Sequence, residues 1–285
     1  MISVIICSVD AQAAETLRHN IAETIGVPHE VLVFDNRHTA YGIGKVYNLC
    51  AQNARYDQLC FAHEDIRFDT PDWGRTMTEQ LQRADCGVIG FAGSVARTDA
   101  PSGWRISREY ARLHYIQHQQ GRKHLKIFNP GGERFARVIT LDGLCLLVRK
   151  QVWDEVRFDE ETFPGFHAYD MDFTTAVGCR YRNYVCNEVL VEHFSSGAYS
   201  PAWIKSMQKY QQKWSVSLPL YIDPPLEGRQ RCDKTRTERA FIKLLMQKRV
   251  YLWSRIVPMA VRHFREHPRS GCTLGLSYLK YRCKY

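Results

Sequence analysis

Two groups of carboxylates are the residues most able to do chemistry. The first is His63-Glu64-Asp65, which follows an apolar run ending at Ala62. Adjacent acids at a strand end offer hard oxygen donors of the kind taken by Mg2+ or Mn2+. A divalent ion held there can bridge a diphosphate and neutralise charge that develops on a leaving group. On spacing alone, such a pair is more often a helix cap or a solvated turn. The second group, Asp170-Met171-Asp172, also has a plain structural use, as acids that complement the first turn of a helix. Asp35-Asn36 follows another apolar run. Its carboxylate can accept a hydrogen from an imide or amino group, yet both residues also favour tight turns. His193 ends a later apolar stretch, and a lone histidine is more often structural than a ligand.

These side chains need a scaffold. Ile2 to Cys7 is a β-branched apolar run that leads to Ser8 and Asp10, and it reads as a buried strand. Leu17, Ile21 and Ile25 recur at helical spacing, and Pro28 stops that helix. Val31 to Phe34 reads as a second strand, residues 43–54 as a helix, 57–62 as a third strand and Gly87 to Ala92 as a fourth. Residues 95–135 are polar and weakly periodic, which predicts a long excursion with some helix, set over the site. Val138 to Val148 reads as strand and turn, interrupted by Asp142-Gly143. A short helix starts at Val152, and residues 158–173 are loop-like until a helix begins at their end. Tyr184 to Val191 reads as one strand ending at Glu192-His193, and 201–214 as a helix. Alternating strands and helices predict an α/β fold, with a Rossmann-like, mostly parallel mixed sheet flanked by helices. Ligands of such sheets bind beyond the carboxyl ends of the strands, so the chemistry should collect around Ser8, Asp35 and Asp65.

The net charge of +9 looks like a nucleic-acid signal until it is located. Residues 229–285 hold 15 Lys+Arg and 3 Asp+Glu, a net of +12, which leaves the preceding 228 residues at −3. A basic partner surface therefore belongs to the tail. Prolines at 219, 224 and 225 mark the end of the body, which predicts a domain over 1–218 and a basic, mainly helical extension over 219–285. None of the ten cysteines forms a Cys-x-x-Cys pair, so free buried thiols in a reducing cytosol explain them best. The short N-terminal apolar run lacks the flanks of a signal peptide, which places the chain in the cytoplasm.

The order of motifs resembles family 2-like glycosyltransferases of the GT-A fold. Ile2-Ser-Val-Ile-Ile-Cys-Ser8, Glu30-Val-Leu-Val-Phe-Asp-Asn36 and Phe61-Ala-His-Glu-Asp-Ile66 come first. Val138-Ile-Thr-Leu-Asp-Gly143, Phe166-His-Ala-Tyr-Asp-Met-Asp172 and His193-Phe-Ser-Ser-Gly197 follow. Each is weak alone, and six in order over residues 1–218 are more specific. The resemblance is to a bacterial branch with His-Glu-Asp where Asp-x-Asp is usual. It implies an inverting transfer of a sugar from a nucleotide-diphosphate donor, UDP-sugar favoured, to a glycan or lipid-linked glycan in surface polysaccharide or lipopolysaccharide synthesis. It also implies Mn2+ or Mg2+ as cofactor. Asp65 takes the place of the metal and diphosphate ligand, with His193 as a late metal ligand. Glu64 takes the position near the donor ribose, Ser8 and Val9 the loop at base and ribose, and Asp35 the contact to the base. Asp142 and Gly143 match the loop beside donor sugar and acceptor, and Asp170 matches the general base. His63 stands where the first Asp is usual, and Tyr169 where Glu is common.

Those two departures leave room for a non-catalytic glycan- or membrane-binding protein on a decayed transferase fold. A nucleotidyltransferase would carry a Gly-rich basic loop after its first strand, and Ser8-Val-Asp-Ala-Gln12 lacks it. Trp104 can stack on a sugar or sit in a core, and Tyr47-Asn48 reads as support. In the tail, residues 236–265 place Phe241, Leu244, Leu245 and Leu252 among cations at helical spacing. That pattern suits an anionic membrane surface or a stripe packed onto the body. No nucleic-acid module accompanies the charge, so no nucleic-acid partner is expected.

Overall fold

The N-terminal apolar run forms β1 (Ile2–Ser8), buried almost throughout. In this computed structural model, which describes all residues except 196, 198 and 283–285, it lies one strand in from an edge of the main sheet. Ser196, within the motif at 193–197, thus lies outside the described residues, as does the end of the basic tail. Asp10 caps α1 (Ala11–Thr24) by accepting from the amides of Gln12 and Ala13 at 2.9 and 3.1 Å, which satisfies donors that a helix start leaves over. Then follow β2 (His29–Asp35), α2 (Ile43–Gln52), β3 (Gln58–His63), β4 (Ile66–Phe68), α3 (Trp73–Leu81), β5 (Cys86–Gly90), β6 (Ala92–Ser94) and β7 (Ala96–Arg97). The middle of the chain gives β8 (Ala111–Gln119), β9 (Arg122–Phe128), β10 (Phe135–Val138), β11 (Thr140–Leu141), β12 (Cys145–Arg149), α4 (Lys150–Val156), α5 (Tyr169–Gly178), β13 (Arg182–Cys186) and β14 (Val191–His193). The remainder is α6 (Pro201–Lys213), β15 (Leu220–Tyr221), α7 (Arg229–Lys248), α8 (Trp253–Glu266) and α9 (Pro268–Arg282).

These elements form two compact units, residues 1–95 with 107–197, and residues 96–106 with 198–285. Composition places a boundary after residue 218, whereas packing places one near 197 and gives 96–106 to the second unit.

The first unit holds a seven-stranded sheet in the order β10-β13-β5-β12-β3-β1-β2. β2, β1, β3, β5 and β13 run one way, and β12 and β10 run against them. The sheet is therefore mixed with a parallel majority, as the strand–helix alternation predicts. Its core is made by side chains such as Ile5, Phe61, Leu146, Phe158 and Phe173. After β2, the chain crosses to the other side of β1 to lay down β3. Strand order thus reverses between β1 and β3, and such a reversal leaves a crevice at the carboxyl ends of the two strands.

A second sheet, β11-β6-β8-β14-β4 with β9 on β8, lies in the same unit. It corrects two sequence readings. Residues 111–128 form an antiparallel hairpin, turning at Gln120-Gly121, and no helix lies between 95 and 135 among the described residues. Both turn residues have positive φ, 52° and 73°, which suits a two-residue hairpin turn. The strands were hidden because β8 is only half-buried at most positions and β9 is largely exposed, so neither alternates cleanly. The stretch from Tyr184 to Val191 is likewise not one strand. β13 belongs to the main sheet and β14 to the second.

In the second unit, β7 pairs antiparallel with β15. Helices α7, α8 and α9 pack on one another, burying Phe241, Ile242, Leu245 and Met246 of α7 with Ile256 of α8 and Leu274 of α9. The stripe at Phe241 and Leu245 is therefore used inside this unit, while Leu252 is exposed. Arg249 in the left-handed region, φ 51°, breaks the expected 236–265 helix in two. Among the described residues no helix is long and apolar enough to cross a membrane. The nine described cysteines are all free thiols.

Candidate active site

β1 and β3 end side by side, with Cys7 opposite His63 in register. Beyond their ends lies a cleft of about 400 Å³, lined by Val9, Tyr41, His63, Glu64, Asp65 and Phe166 among others. Glu64 shapes its rim. One carboxylate oxygen accepts from the Ser8 hydroxyl at 2.6 Å and from the amides of Val9 and Asp10 at 3.0 and 2.9 Å. Hydrogen bonds to an ionised acceptor are short and strong, so Glu64 staples the loop after β1 to the end of β3. Ser8, Val9 and Glu64 are thereby held together, with Val9 and Glu64 on the cleft.

Asp65 lies next to His193, with Oδ1 to Nε2 at 3.6 Å. The two meet because β14 pairs antiparallel with β4, which sets His193 opposite Ile66, and because the Phe194 amide donates to the Asp65 carbonyl at 2.9 Å. The neighbouring Glu192 anchors β14. It is buried, with His118, Lys123 and Arg67 at 2.7, 2.5 and 3.1 Å. Burial pushes its carboxyl up, but the Lys123 and His118 donors outweigh that and hold it at about 2.

His63 completes a cluster in which one donor atom each from His63, Asp65 and His193 lies within 4.8 Å of the others. A cation bonded at about 2.0–2.2 Å needs donors roughly 3–4 Å apart, and the 3.6 Å between Asp65 and His193 fits that spacing. Two imidazoles and one carboxylate suit Mn2+ better than Mg2+. Burial and the nearby His193 push the His63 pKa down, against the pull of Asp65 and Asp142. The ring is thereby kept neutral, with a lone pair to offer.

The other pole lies past His63. β12 pairs antiparallel with β3, and the His63 amide donates to the Leu144 carbonyl at 3.0 Å, which brings the 142–144 loop alongside. His63 Nε2 is 2.7 Å from the Tyr169 hydroxyl, which lies 3.1 Å from the Gly143 carbonyl. The Gly143 amide donates to Asp170 Oδ2 at 2.9 Å. A Cβ on Gly143 would stand 2.3 Å from the Tyr169 oxygen and 2.9 Å from the Asp170 Cβ, so this close approach requires glycine. Asp142 accepts from the Leu144 amide at 3.1 Å. Asp170 sits in the first turn of α5, directly after Tyr169 and after Ala168 at φ 71°. Burial, and then the Asp142 charge, push its carboxyl up to about 7, while backbone donors including Gly143 pull the other way. A carboxyl at that level exchanges its proton near neutral pH.

The expected residues thus fall into two groups joined through His63 and Tyr169, one on the cleft and one at the 142–143/170 corner. Asp35 stands apart. Arg37 binds its carboxylate at 2.9 and 2.5 Å and holds it well below the usual range. It is exposed and outside the cleft lining, whereas its neighbour Asn36 lines the cleft. Trp104 belongs to the second unit. Tyr47 and Asn48 are buried supports, donating to the Ala62 and Phe158 carbonyls at 3.2 and 2.9 Å. The contact of Tyr169 with His63 is the one that sequence reasoning missed. The place of Tyr169 beside Asp170 was visible, but nothing local signals a partner 106 residues away.

Known proteins can be set beside this geometry. A family model described as glycosyltransferase-like family matches residues 3–212. No curated protein matches in sequence. Among solved structures, S. aureus TarS 1-349 in complex with UDP has 14% identity and a TM-score of 0.52, over 99% of this chain and 91% of that one. The mannosyltransferase PcManGT from Pyrobaculum calidifontis, in complex with GDP-Man and Mn2+, has 13% identity and a TM-score of 0.52, over 99% and 81%. GalNAc-T7 with UDP, GalNAc and Mn2+ has 11% identity and a TM-score of 0.50, over 82% of this chain and 54% of that one. This chain thus spans about half of the GalNAc-T7 chain. At these identities the likeness is one of fold, the GT-A arrangement that the sequence motifs imply.

Proposed function

This chain belongs to the glycosyltransferase-like family, and from that premise we propose that it moves a sugar, with inversion, from a nucleoside-diphosphate donor to a hydroxyl of a glycan or lipid-linked glycan. The observation that carries the reading is a cation-type donor set at the end of β3, joined through Tyr169 to a carboxyl poised near pH 7. In this scheme the wall of Ser8, Val9 and Glu64 receives base and ribose, and Asp35 reaches the base once Arg37 yields it. Asp65 and His193 would hold the cation, which when bound supplies a Lewis acid for the diphosphate oxygens. Asp142 accepts from a sugar hydroxyl. Asp170 takes the proton of the acceptor hydroxyl as its oxygen bonds to the anomeric carbon and the bond to the diphosphate breaks. A UDP-sugar with Mn2+ is the favoured pair. TarS and GalNAc-T7 were crystallised with UDP, and GalNAc-T7 and PcManGT with Mn2+.

Surface polysaccharide or lipopolysaccharide synthesis is the proposed setting, at the cytoplasmic face of a membrane. The net charge of +12 over residues 229–285 supports contact with anionic lipid. On α8, Arg255 and Arg265 are exposed along with Val261 and Phe264, although α7 spends its own stripe internally.

The test is a panel of UDP-, GDP- and dTDP-sugars with Mn2+, scored by thermal shift and then by hydrolysis. A donor should stabilise the wild type but not Asp65→Ala. Silence toward every donor would turn the assignment toward a non-catalytic binding protein. For the tail, Arg255→Glu with Arg265→Glu should weaken binding to phosphatidylserine-containing vesicles, and unchanged binding would remove the membrane contact.

A further inference from the structure

Positions 63 and 169 are the two at which this chain departs from the pattern it resembles, and in the structure they touch. His63 Nε2 lies 2.7 Å from the Tyr169 phenol oxygen. That oxygen also lies 3.1 Å from the Gly143 carbonyl oxygen. A phenol carries one proton and a carbonyl can only accept. The phenol proton therefore goes to Gly143, and the phenol oxygen is left to accept from His63. Nε2 then carries a hydrogen, and Nδ1 is the ring nitrogen left to face a cation.

We propose that His63 is the third protein ligand of the cation site, binding through Nδ1, and that Tyr169 is the positioning residue that holds the ring in that tautomer. The proposal rests on the cation-dependent reading above. A metal-bound histidine almost always donates its other N–H to an acceptor that orients it, and Tyr169 stands in that place. Tyr169 has little freedom to leave. It is buried, with its ring 5.8 Å from that of Tyr47 and 5.9 Å from that of Phe158. The same phenol connects the two poles, because Gly143 takes its proton through the carbonyl and holds Asp170 through the amide. The two departures are thus a matched pair rather than two separate losses.

The experiment uses the full chain with UDP and follows free Mn2+ by electron paramagnetic resonance, with circular dichroism as a check of folding. Tyr169→Phe should weaken Mn2+ binding about 10-fold, within the range seen for such supporting partners, and His63→Ala, which removes a ligand outright, should weaken it more. Long-range proton–nitrogen spectra of the metal-free wild type should show the His63 hydrogen on Nε2. Binding by His63→Ala equal to wild type would overturn the ligand assignment while leaving the cation site to Asp65 and His193. Wild-type affinity in folded Tyr169→Phe would overturn the positioning role. A hydrogen on Nδ1 would overturn both parts, whether or not the variants fold. A wild type that binds donor but no Mn2+ would overturn the cation-dependent reading itself.

Discussion

Glu64 and Asp170 are both carboxylates at the carboxyl edge of the main sheet, and their surroundings prepare them for opposite work. Glu64 faces three donors from the end of β1 and the loop after it, all on one oxygen. It meets the demand of backbone amides at a helix start and fixes a wall. Asp170 has backbone donors including the Gly143 amide at 2.9 Å, a desolvated, partly buried carboxyl and the Asp142 charge nearby. Its carboxyl is pushed up to about 7. The contrast teaches that surroundings, rather than residue type, separate a carboxylate that shapes a site from one that can move a proton, since at Asp170 desolvation and the Asp142 charge outweigh the backbone donors.

The comparison breaks most visibly at Asp170. Asp170→Asn keeps size and shape but cannot accept a proton, so turnover should fall about 10²–10⁴-fold, with Mn2+ and UDP affinity unchanged by calorimetry. Retained turnover would remove Asp170 as the base. Gly143→Ala comes next, because the added methyl would displace Tyr169 and Asp170. A displacement of about 1 Å at reacting groups can cost about 100-fold, and initial-rate kinetics on the folded variant would measure it. Glu64→Gln should keep the transfer step but loosen the wall. Bonds to a charged acceptor contribute about 1.5–3 kcal/mol, so UDP binding by calorimetry should weaken roughly 10–100-fold. An equal loss in the Asp170→Asn and Glu64→Gln binding assays would erase the distinction between the two carboxylates.

The smallest expected effect is on pH dependence. Asp142→Asn removes the secondary cause of the raised Asp170 pKa and leaves burial, the larger one. The acidic limb of the rate–pH profile should move a little toward lower pH. The same shift has a sign in stability. Between the ordinary carboxylate range and about 7 the folded chain holds a proton at Asp170 that the unfolded chain has released. Stability therefore falls as pH rises through that window. Asp170→Asn should escape this, so its melting temperature should gain on the wild type from pH 4 to pH 7.

Much of the frame is legible in the residues alone. Ile2–Ser8 and Gln58–His63 are largely buried strands that end where the apolar runs end, because a buried strand needs an unbroken apolar face and its polar end needs solvent or ligand. His29–Asp35 is a strand too, but at the sheet edge with no fully buried residue, so its apolar run misstates its burial. Residues 111–128 were not legible as strands, since a half-exposed hairpin has no strong period to read. Asp35 shows the limit at single residues. Its place at a strand end was visible, but its clasp by Arg37 two positions on was not.

By itself the sequence determined the α/β alternation, the polar groups at the strand ends and the family. Each of these is a property of short segments, set by which faces must be buried. Tertiary structure alone decided which groups share a site. Sheet order and register put His193 beside Asp65, the 142–144 loop beside His63, and Tyr169 against both. Those contacts join residues from 26 to 128 positions apart, and a hydrogen bond depends on ångström-scale placement that no local pattern specifies.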